Sequence, residues 1–284
     1  MKIKIIGNRH FEILFQKKIN KILLIGNVDT GKTTLLKEIA RKFIFYSIPV
    51  TIIDCDIGQS FIGPPTTISL IKLKKNVYNF FPFPDRFYFT GAISPSSNII
   101  GFLTGIEKIE EVCKKEKNEK ILIDTTGYIK DKIAREIKIH KIEVFSPDLV
   151  LLLEKKDELF FVRNFLRYSK IKFLTIKIPE NFPVKTITER EENRSEKFRR
   201  YFRITDKIKI NINNISIKKI NLHEEISLNN PDGLLISLRD RNLNDRVLGV
   251  ISKKERDFLE VFYPKGKIDF EVKGIAISNI KIDF

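Results

Sequence analysis

The amino-acid sequence predicts an α/β fold, in which a mostly parallel sheet is covered by helices on both faces and a small β-rich domain follows. Continuous apolar runs at 22–25, 121–124 and 149–153 alternate with segments of helical pattern. Strands of parallel sheets read as unbroken apolar runs because both of their faces are buried. The chain has 284 residues, which is enough for one large domain of this kind and a smaller one.

The expected elements of the large domain follow one another in strand–helix alternation. Residues 1–20 are expected to form one or two short strands that lead into it. Apolar runs predict strands at 22–25, 50–56, 86–90, 121–124, 149–153 and 173–178, and helical periodicity predicts helices at 32–46, 98–116, 131–140 and 157–169. Glycine and proline indicate loops at 58–65 and 76–85. This alternation assigns residues 21–204 to the large domain.

The character of the sequence changes near residue 188. Residues 188–203 are highly charged and predict an arginine-rich helix with little apolar stripe. Beyond it helical patterns fade, and alternating runs appear at 207–212, 234–238, 247–251 and 268–277. Alternation with a period of two is typical of half-buried strands. We therefore expect a small β-rich domain at 205–284.

A glycine-containing loop joins the strand at 22–25 to the helix at 32–46. It reads Gly26-Asn27-Val28-Asp29-Thr30-Gly31-Lys32-Thr33-Thr34, which matches G-x-x-x-x-G-K-[ST] in the strand–loop–helix context of a phosphate loop. Backbone N–H groups of such a loop, together with the N-terminus of the next helix, bind phosphate oxygens. In this pattern Lys32 reaches the β- and γ-phosphates and the Thr33 hydroxyl binds Mg²⁺. The sequence therefore predicts a P-loop NTPase domain whose nine loop residues bind a nucleoside triphosphate.

Two aspartates, Asp54 and Asp56, lie at the end of the next strand. A carboxylate at this position can hold Mg²⁺ or accept the proton of an attacking hydroxyl, and phosphoryl transfer needs both functions. Strand alternation puts the two side chains on one face, and Asp56 is nearer to the mouth of the loop. We expect Asp56 to be a catalytic and metal-binding residue, whereas Asp54 also fits a structural cap at the strand end.

A third acidic segment, Asp124-Thr125-Thr126-Gly127, leaves two interpretations open. An Asp-x-x-Gly sequence after an apolar strand is also the γ-phosphate sensor of GTPases. A GTPase would need, in addition, a guanine-reading Asn/Thr-Lys-x-Asp sequence after a later strand. The nearest candidate is Glu154-Lys155-Lys156-Asp157, in which a glutamate replaces the guanine-contacting asparagine. This replacement counts against a GTPase-like nucleotide switch, but that interpretation stays open.

The charge and the cysteine content indicate which partners and which cellular compartment to expect. Lysine and arginine total 52 against 36 acidic residues, for a net charge of +16. Such an excess is typical of nucleic-acid binding, although the lysine-rich composition of a thermophilic genome would also produce it. No run approaches the ~18 apolar residues of a membrane span. Cys55 and Cys113 lack metal-ligand spacing, so we expect a cytoplasmic protein without membrane association.

The charged helix offers two arginines on one face. Arg190 and Arg194 are four residues apart, so they are neighbours on the helix surface. Guanidinium groups stabilise the negative charge on the oxygens of a transferring phosphoryl group. A solvated helix in which nearby glutamates compensate these arginines is the structural alternative.

Taken together, these segments resemble the polynucleotide 5′-hydroxyl kinases of RNA processing. The most specific stretch is Asp54-Cys55-Asp56-Ile57-Gly58-Gln59, followed by Gly63-Pro64-Pro65, which resembles that family's Asp-x-Asp-x-Gly-Gln element. Thr125-Thr126-Gly127-Tyr128 is similar to the family's Thr-x-Gly-Trp substrate clasp. The segment from Arg190 to Arg194 is similar to its Arg-x-x-x-Arg lid. The resemblance covers about 21–204, with the motifs in order.

The resemblance implies roles for these residues. ATP would be the phosphate donor, Mg²⁺ the metal, and the 5′-hydroxyl of RNA the acceptor, with DNA left open. Asp56 would be the general base, Gln59 would support the metal or substrate end, and residues 188–203 would be the lid. Thr125, Gly127 and Tyr128 would bind substrate, with a tyrosine in place of the family's tryptophan. A non-catalytic, ATP-bound RNA-processing scaffold is a further alternative, and the sequence indicates no protein partner.

Overall fold

A seven-stranded sheet forms the centre of the structure, a computed structural model that describes residues 12–73, 83–114, 120–220 and 230–282. Its strands are β1 (Lys21–Gly26), β2 (Val50–Cys55), β3 (Thr67–Leu73), β4 (Arg86–Phe89), β5 (Lys120–Thr125), β6 (Leu149–Glu154) and β7 (Lys172–Lys177). The spatial order is β4-β3-β2-β5-β1-β6-β7. The five strands from β2 to β7 in this order are parallel.

Five α-helices follow β1 in the described part of the chain. They are α1 (Lys32–Phe45), α2 (Ile99–Cys113), α3 (Lys132–Phe145), α4 (Phe160–Leu166) and α5 (Ile187–Tyr201). Successive residues of β1 point to opposite faces of the sheet, so Leu24 packs in one core with α1 and Leu23 packs in another with α2, α3 and α4. The expected mostly parallel sheet with helices on both faces is confirmed.

The loops that follow β1, β2 and β5 all leave the same edge of this sheet because the three strands are parallel neighbours. Ligands of open α/β sheets bind at the carboxyl ends of the strands. The phosphate loop, Asp56 and Thr125 to Tyr128 therefore converge at one edge, although they are far apart in sequence.

A second sheet, of six strands, lies C-terminal to α5. It comprises β8 (Thr205–Asn211), β9 (Ser216–Ile220), β10 (Leu234–Arg239), β11 (Asp245–Glu255), β12 (Phe258–Pro264) and β13 (Gly274–Lys281), in the order β8-β12-β11-β10-β13-β9. Its core is shared with the first part of the chain, since Phe89 of β4 and Phe198, Tyr201 and Phe202 of the α5 region belong to it. The β-rich region therefore packs against the P-loop domain and the base of its lid helix.

The structure differs from several sequence expectations. Strands expected within 1–20 fall mostly on residues outside the described range, and in the described part residues 12–14 are helical while the first strand begins at Lys21. Strand β3 was not predicted, and it makes antiparallel pairs with β2 and β4. Strands β9 and β12 were also missed, and 268–277 is a strand only from Gly274 onward.

The reason for these differences is that pairing with neighbouring strands defines such strands more than their own sequence pattern does. Strand β3 follows a proline pair and contains two threonine or serine positions among its apolar residues, so locally it resembles a loop. The expected loop at 76–85 lies mostly outside the described residues. No helix in the described ranges is long and apolar enough to cross a membrane.

Candidate active site

The phosphate loop wraps tightly between β1 and α1. A Cβ atom on Gly26 would lie 2.6 Å from Thr30 Oγ1 and 2.7 Å from the carbonyl oxygen of Leu153, so only glycine fits there. The Thr30 hydroxyl donates to the carbonyl of Asn27 over 2.9 Å and thereby closes the loop. Gly31 lies at the N-cap of α1 with a φ of 78°, a left-handed conformation that favours glycine.

Lys32 is folded back onto the loop. Its Nζ donates a hydrogen bond of 2.7 Å to the carbonyl oxygen of Asn27, and only 6% of the residue is exposed. Burial lowers the pKa of Lys32, while the carboxylates of Asp124 and Asp56 oppose that shift. The ammonium group thus has a backbone partner at the mouth of the loop, which a phosphate oxygen would replace.

Asp124 contacts Thr33, the residue whose hydroxyl is expected to bind Mg²⁺. Its Oδ2 accepts a hydrogen bond of 2.5 Å from Thr33 Oγ1, and its Oδ1 accepts one of 2.9 Å from the Thr125 N–H. Burial raises the pKa of Asp124, whereas the charge of Lys32 and the Thr33 hydrogen bond lower it. The sequence reasoning did not assign Asp124 to the metal. The position of Asp124, directly after an apolar run, was a sequence feature that could have predicted this role.

The structure separates the two aspartates after β2. Asp54 is fully buried, and its carboxylate accepts hydrogen bonds from the N–H groups of Asp56, Phe61 and Ile62 and from the Ser60 hydroxyl. Burial and the neighbouring Asp124 and Asp56 raise the pKa of Asp54 to about 7. Asp54 therefore acts as the structural cap of this loop.

Asp56, in contrast, faces the cavity above the phosphate loop. Its Oδ1 accepts from the N–H groups of Gly58 and Gln59 over 3.2 and 3.0 Å, which fixes the side chain in a turn. Among the described residues, no hydrogen bond to Oδ2 occurs. One carboxylate oxygen is therefore oriented by the backbone, and the other is available to a ligand.

The donor set at this edge fits Mg²⁺. No group of three or more His, Cys, Asp or Glu side chains in the described ranges could hold a metal ion by itself. Thr33, Asp124 and Asp56 supply a hydroxyl and two carboxylates. Mg²⁺ in phosphate-loop proteins is held by such oxygens together with substrate phosphates. A metal site made entirely of protein side chains is therefore not needed here.

The lid helix α5 is tied to the phosphate loop and to the loop after β2. Asp29 Oδ2 forms an ion pair with Arg190 and accepts the Lys185 N–H over 3.0 Å. Gln59 Nε2 donates to the carbonyl of Arg190 over 3.0 Å. The helix itself begins with a capping box, in which Thr186 and Glu189 exchange hydrogen bonds with each other's backbone. Gln59 thus contacts the lid directly.

The two lid arginines do not occupy equivalent positions. Arg190 lines the cavity, together with Asn193 and Lys197 from the same helix face. Arg194 is absent from the cavity lining, and its guanidinium lies 3.8 Å from Glu191. Asn193 and Lys197 were missed because the sequence reasoning followed the arginine spacing rather than the i, i+3, i+7 face of the helix.

The clasp segment after β5 is divided between the interior and the surface. Thr125 is fully buried and donates its hydroxyl to the carbonyl of Leu24 over 2.8 Å, so it lies beneath the clasp and does not fit the expected contact with substrate. Gly127 lines the cavity, and a Cβ atom there would lie 2.5 Å from Val28 Cα. Tyr128 is half-buried and absent from the cavity lining, and its hydroxyl donates to Asp131 Oδ2 over 2.6 Å.

These elements enclose a cavity of about 460 Å³. The phosphate loop and α1 form one wall, Asp56, Gln59 and Phe61 form a second, and Gly127 lies between them. The segment before the lid and the lid helix form the roof, through Phe182, Pro183, Lys185, Arg190, Asn193 and Lys197. The volume is within the range of small-molecule binding sites.

The guanine-reading alternative has no support in the geometry. Glu154 is fully buried, and its carboxylate pairs with Arg163 at 2.7 Å and Lys177 at 2.8 Å. Asp157 pairs with the same arginine. Because these carboxylates are neutralised within the protein, this segment is not arranged to bind a base.

Comparison with known proteins identifies relatives of most of the chain. The family model described as the mRNA cleavage and polyadenylation factor CLP1 P-loop matches residues 26–203. A polyribonucleotide 5′-hydroxyl-kinase of Pyrococcus furiosus is 37% identical over 213 residues, covering 75% of this chain and 59% of the relative. A protein of the same name from Methanocaldococcus jannaschii is 35% identical, covering 69% and 54%. The chain therefore spans less than two thirds of the length of these relatives.

The fold also has a counterpart among solved structures. In the structure of a wild-type Clp1p–Pcf11p complex, one chain superimposes with a TM-score of 0.77 and 16% sequence identity. The superposition covers 96% of this chain and 77% of that chain. At this identity the similarity concerns the fold, and it extends over both sheets.

Proposed function

This chain belongs to the mRNA cleavage and polyadenylation factor CLP1 P-loop family, and we propose that it is an ATP-dependent polynucleotide 5′-hydroxyl kinase acting on RNA. The observation that carries the proposal is the cavity of about 460 Å³ in which Asp56 faces the phosphate loop beneath the lid. A donor triphosphate and an acceptor hydroxyl need such a shared, roofed space, because in-line transfer depends on positioning and electrostatic stabilisation. The names of the archaeal relatives point to the same activity.

The donor side consists of the phosphate loop from Gly26 to Thr34. Its backbone N–H groups and the N-terminus of α1 bind the triphosphate oxygens. Lys32 exchanges its bond to the Asn27 carbonyl for the β- and γ-phosphates. Thr33 and Asp124, together with Asp56 through a water molecule, would hold Mg²⁺, which neutralises charge on the phosphates when bound.

The acceptor side is built around Asp56. Its Oδ1 is occupied by backbone N–H groups, so Oδ2 is the atom that accepts the proton of the RNA 5′-hydroxyl. The hydroxyl oxygen forms a bond to the γ-phosphorus of ATP as the bond from that phosphorus to the β,γ-bridging oxygen breaks, and ADP leaves. Arg190 stabilises the charge on the transferring phosphoryl group. Arg194 contributes through a rearranged lid, since its present neighbour is Glu191. Gln59 fixes the lid backbone, and Gly127 and Tyr128 contact the terminal nucleotide, whose base can stack on an aromatic ring.

The net charge of +16 suits a polyanionic acceptor. Lysine and arginine side chains that neutralise phosphates release counterions, which makes such binding salt-dependent. This term does not separate RNA from DNA, since both carry the same backbone charge. RNA is the preferred acceptor in this proposal because the relatives are named for polyribonucleotides.

The proposal is tested by transfer of label from γ-labelled ATP to 5′-hydroxyl RNA and DNA oligonucleotides in the presence of Mg²⁺. We expect label on RNA, none on an RNA that already carries a 5′-phosphate, and a loss of at least a hundredfold in Asp56→Asn, as general-base catalysis implies. Asp257→Asn, an exposed position in the second sheet region, is the matched control. Nucleotide binding without transfer to any oligonucleotide would favour the scaffold, and a strong preference for GTP would favour a switch.

A further inference from the structure

The segment that follows β4 packs against both the turn after β2 and the clasp. A Cβ atom on Gly58 would lie 2.6 Å from the carbonyl oxygen of Ile93, so the segment touches the turn directly. The hydrogen bond to Asp131 raises the pKa of Tyr128, and one with the Ser96 side chain lowers it. Ser96 is therefore in contact with the clasp, and the segment joins the two parts of the site that surround the acceptor.

The sheet order puts this segment on the side of Asp56 that is remote from the phosphate loop. Strand β1, which leads into the phosphate loop, is separated from β2 by β5, and β4 lies beyond β2 and β3. Asp56 follows β2, and Ile93 follows β4. Because the donor triphosphate binds beside β1, the segment after β4 borders the acceptor part of the site.

Two helices start at this edge, directly after the segment and the clasp. Strand β4 is antiparallel to β3 and β3 to β2, whereas β2 is parallel to β5, so α2 after β4 and α3 after β5 run in the same direction. Along these helices, His140 Nε2 lies 3.7 Å from Glu107 Oε1. Seven residues earlier in each helix, which is about two turns, are Ile133 and Ile100. These two side chains therefore lie at the same level on the same facing sides.

Three isoleucines around the clasp are exposed. Ile93 is 42%, Ile100 66% and Ile133 47% exposed. Single exposed apolar side chains are ordinary on a protein surface, whereas a group of them next to a functional site marks a binding surface. The same two helix faces carry Glu107 and His140 two turns later, so the isoleucines lie at the end of the helices that is next to the site.

We propose that Ile93, Ile100 and Ile133 form an acceptor-base surface, which contacts the base of the second nucleotide of the acceptor strand. This inference rests on the proposed kinase function and extends it. With the 5′-hydroxyl at Asp56 and the first nucleotide at the clasp, the strand must continue outside the cavity. The starts of α2 and α3 are the next surface beyond Tyr128, because both helices begin within four residues of the contact between Ser96 and the clasp.

The charges beside this surface suit a polynucleotide. Lys130 and Lys132 are exposed at the start of α3, and neither forms an ion pair within the described ranges. The carboxylate of Asp131 between them is already bonded, since it accepts a backbone N–H of α3 and the Tyr128 hydroxyl. Bases present apolar faces and phosphates present negative charge, so isoleucines flanked by lysines match both. Contact with the face of a base is tolerant of sequence, which suits an enzyme that accepts many 5′ ends.

The test measures binding of a 5′-hydroxyl RNA in which one nucleotide at a time is made abasic. Binding is followed by fluorescence anisotropy with the full chain and saturating ADP, so that no transfer is required. In the wild type, removal of the second base should weaken binding about fivefold, the loss expected for roughly 40 Å² of apolar contact. Removal of the sixth base should leave binding unchanged.

The double variant Ile100→Ser/Ile133→Ser should bind the intact RNA about fivefold more weakly and lose nothing further when the second base is removed. Both positions are exposed, so the fold tolerates serine there. The double variant with leucine at both positions should restore the dependence on the second base. Ile204→Ser is the matched control, because Ile204 is 63% exposed and precedes β8 of the second sheet; it should behave as the wild type.

Two results would overturn the acceptor-base surface. One is a serine double variant that still loses fivefold when the second base is removed, because the base would then have another partner. The other is unchanged affinity of that variant for intact RNA, which would leave the isoleucines as a contact for a protein partner. Because binding is measured without catalysis, a wild type that depends on the second base but transfers no phosphate would contradict the kinase proposal alone.

Discussion

Gly127 is the residue at which the clasp touches the phosphate loop. Its position leaves no room for a side chain, since a Cβ atom would lie 2.5 Å from both the N and Cα atoms of Val28. The preceding residue, Thr126, is held from below by Lys138, whose Nζ donates to the Thr126 hydroxyl over 3.1 Å and to its carbonyl. The clasp therefore cannot move away from the loop without breaking buried hydrogen bonds.

We predict that Gly127→Ala weakens ATP binding about tenfold, because the added methyl group must displace the loop backbone at Val28. Titration with a fluorescent ATP analogue measures the effect. Gly266→Ala is the control, since Gly266 has a φ of +69° but no atom within 4 Å of the added Cβ. That change should reduce stability slightly and leave ATP affinity alone. An unchanged affinity for the ATP analogue in Gly127→Ala would contradict this prediction, because it would mean that the backbone at Val28 moves to accommodate the methyl group without cost.

Lys141 is a second residue whose environment has a measurable consequence. It is fully buried on α3, its Nζ has no hydrogen-bond partner in the described part of the chain, and the Phe102 ring centre lies 4.7 Å away. Burial lowers the pKa of Lys141 from its usual 10.5. In the window between this lowered pKa and 10.5, the unfolded chain holds a proton that the folded chain has released, so stability rises with pH there.

We predict that Lys141→Met stabilises the protein by about 1–3 kcal/mol near neutral pH, since it removes a buried amine without a hydrogen-bond partner and keeps the volume. The advantage should shrink as the pH approaches 10.5, where the wild type no longer loses a proton on folding. Denaturant unfolding at pH 7 and pH 10 measures both effects. Lys132→Met, at an exposed position on the same helix, should change stability by less than about 0.5 kcal/mol. A destabilised Lys141→Met would contradict this account.

At the scale of elements, the lid helix α5 is held differently at its two ends. Its N-terminal half contacts the phosphate loop through the Arg190–Asp29 ion pair, and the N–H of Lys185, just before the helix, donates to the same aspartate. Its C-terminal end is packed in the core of the second sheet, where the Tyr201 hydroxyl accepts the Leu248 N–H over 3.0 Å. Polar contacts at the rim open more readily than buried apolar ones, so we expect the N-terminal half of α5 to open before the C-terminal end.

We predict that Asp29→Asn increases hydrogen exchange about fivefold in residues 186–194, because a partly exposed ion pair contributes up to about 1 kcal/mol. Exchange in residues 198–202 should not change. The measurement is hydrogen–deuterium exchange with mass spectrometry on the nucleotide-free protein. Glu191→Gln, which removes the 3.8 Å contact to Arg194, serves as control and should leave the whole helix unchanged. Uniform acceleration along α5 in Asp29→Asn would mean that the lid moves as one rigid piece.

At the scale of the whole molecule, the two sheets share a core and a buried ion pair at their junction. Asp245 of β11 pairs with Arg239 at 2.7 Å, and its other oxygen accepts the N–H of Phe89 from β4 over 2.9 Å. Gly91, just after β4, is close enough to Ile220 of β9 that a Cβ atom would lie 3.0 Å from its Cγ2. The β-rich region is therefore a structural partner of the P-loop domain.

We predict that Asp245→Asn lowers the free energy of unfolding by about 3–5 kcal/mol, because it leaves the buried Arg239 charge without a partner. Both sheets should still unfold in a single transition, as monitored by circular dichroism and by hydrogen exchange in β2 and β10. Glu271→Gln, which breaks an exposed ion pair with Lys273, should cost no more than about 1 kcal/mol. Two separate transitions would show that the sheets are independent domains.

The sequence alone determined the features that local rules encode. The phosphate loop, the βα alternation and the aspartate at the end of β2 follow from residue type and spacing within a few positions. The capping box of α5 is of the same kind, since Thr186 and Glu189 are only three residues apart. These features are local because a turn, a cap or a periodicity is set by neighbouring residues.

Only the tertiary structure decided which of these residues face one another. In the folded chain Thr125 is buried and Arg194 does not line the cavity. Thr33 forms a hydrogen bond with Asp124, which is 91 residues away in the sequence. The tertiary structure also tied Arg190 to Asp29 across 161 residues and gave the lid and the second sheet a common core. The physical reason is that helix face, burial and ion pairing at such separations depend on how the sheets and helices pack, and no local pattern specifies that packing.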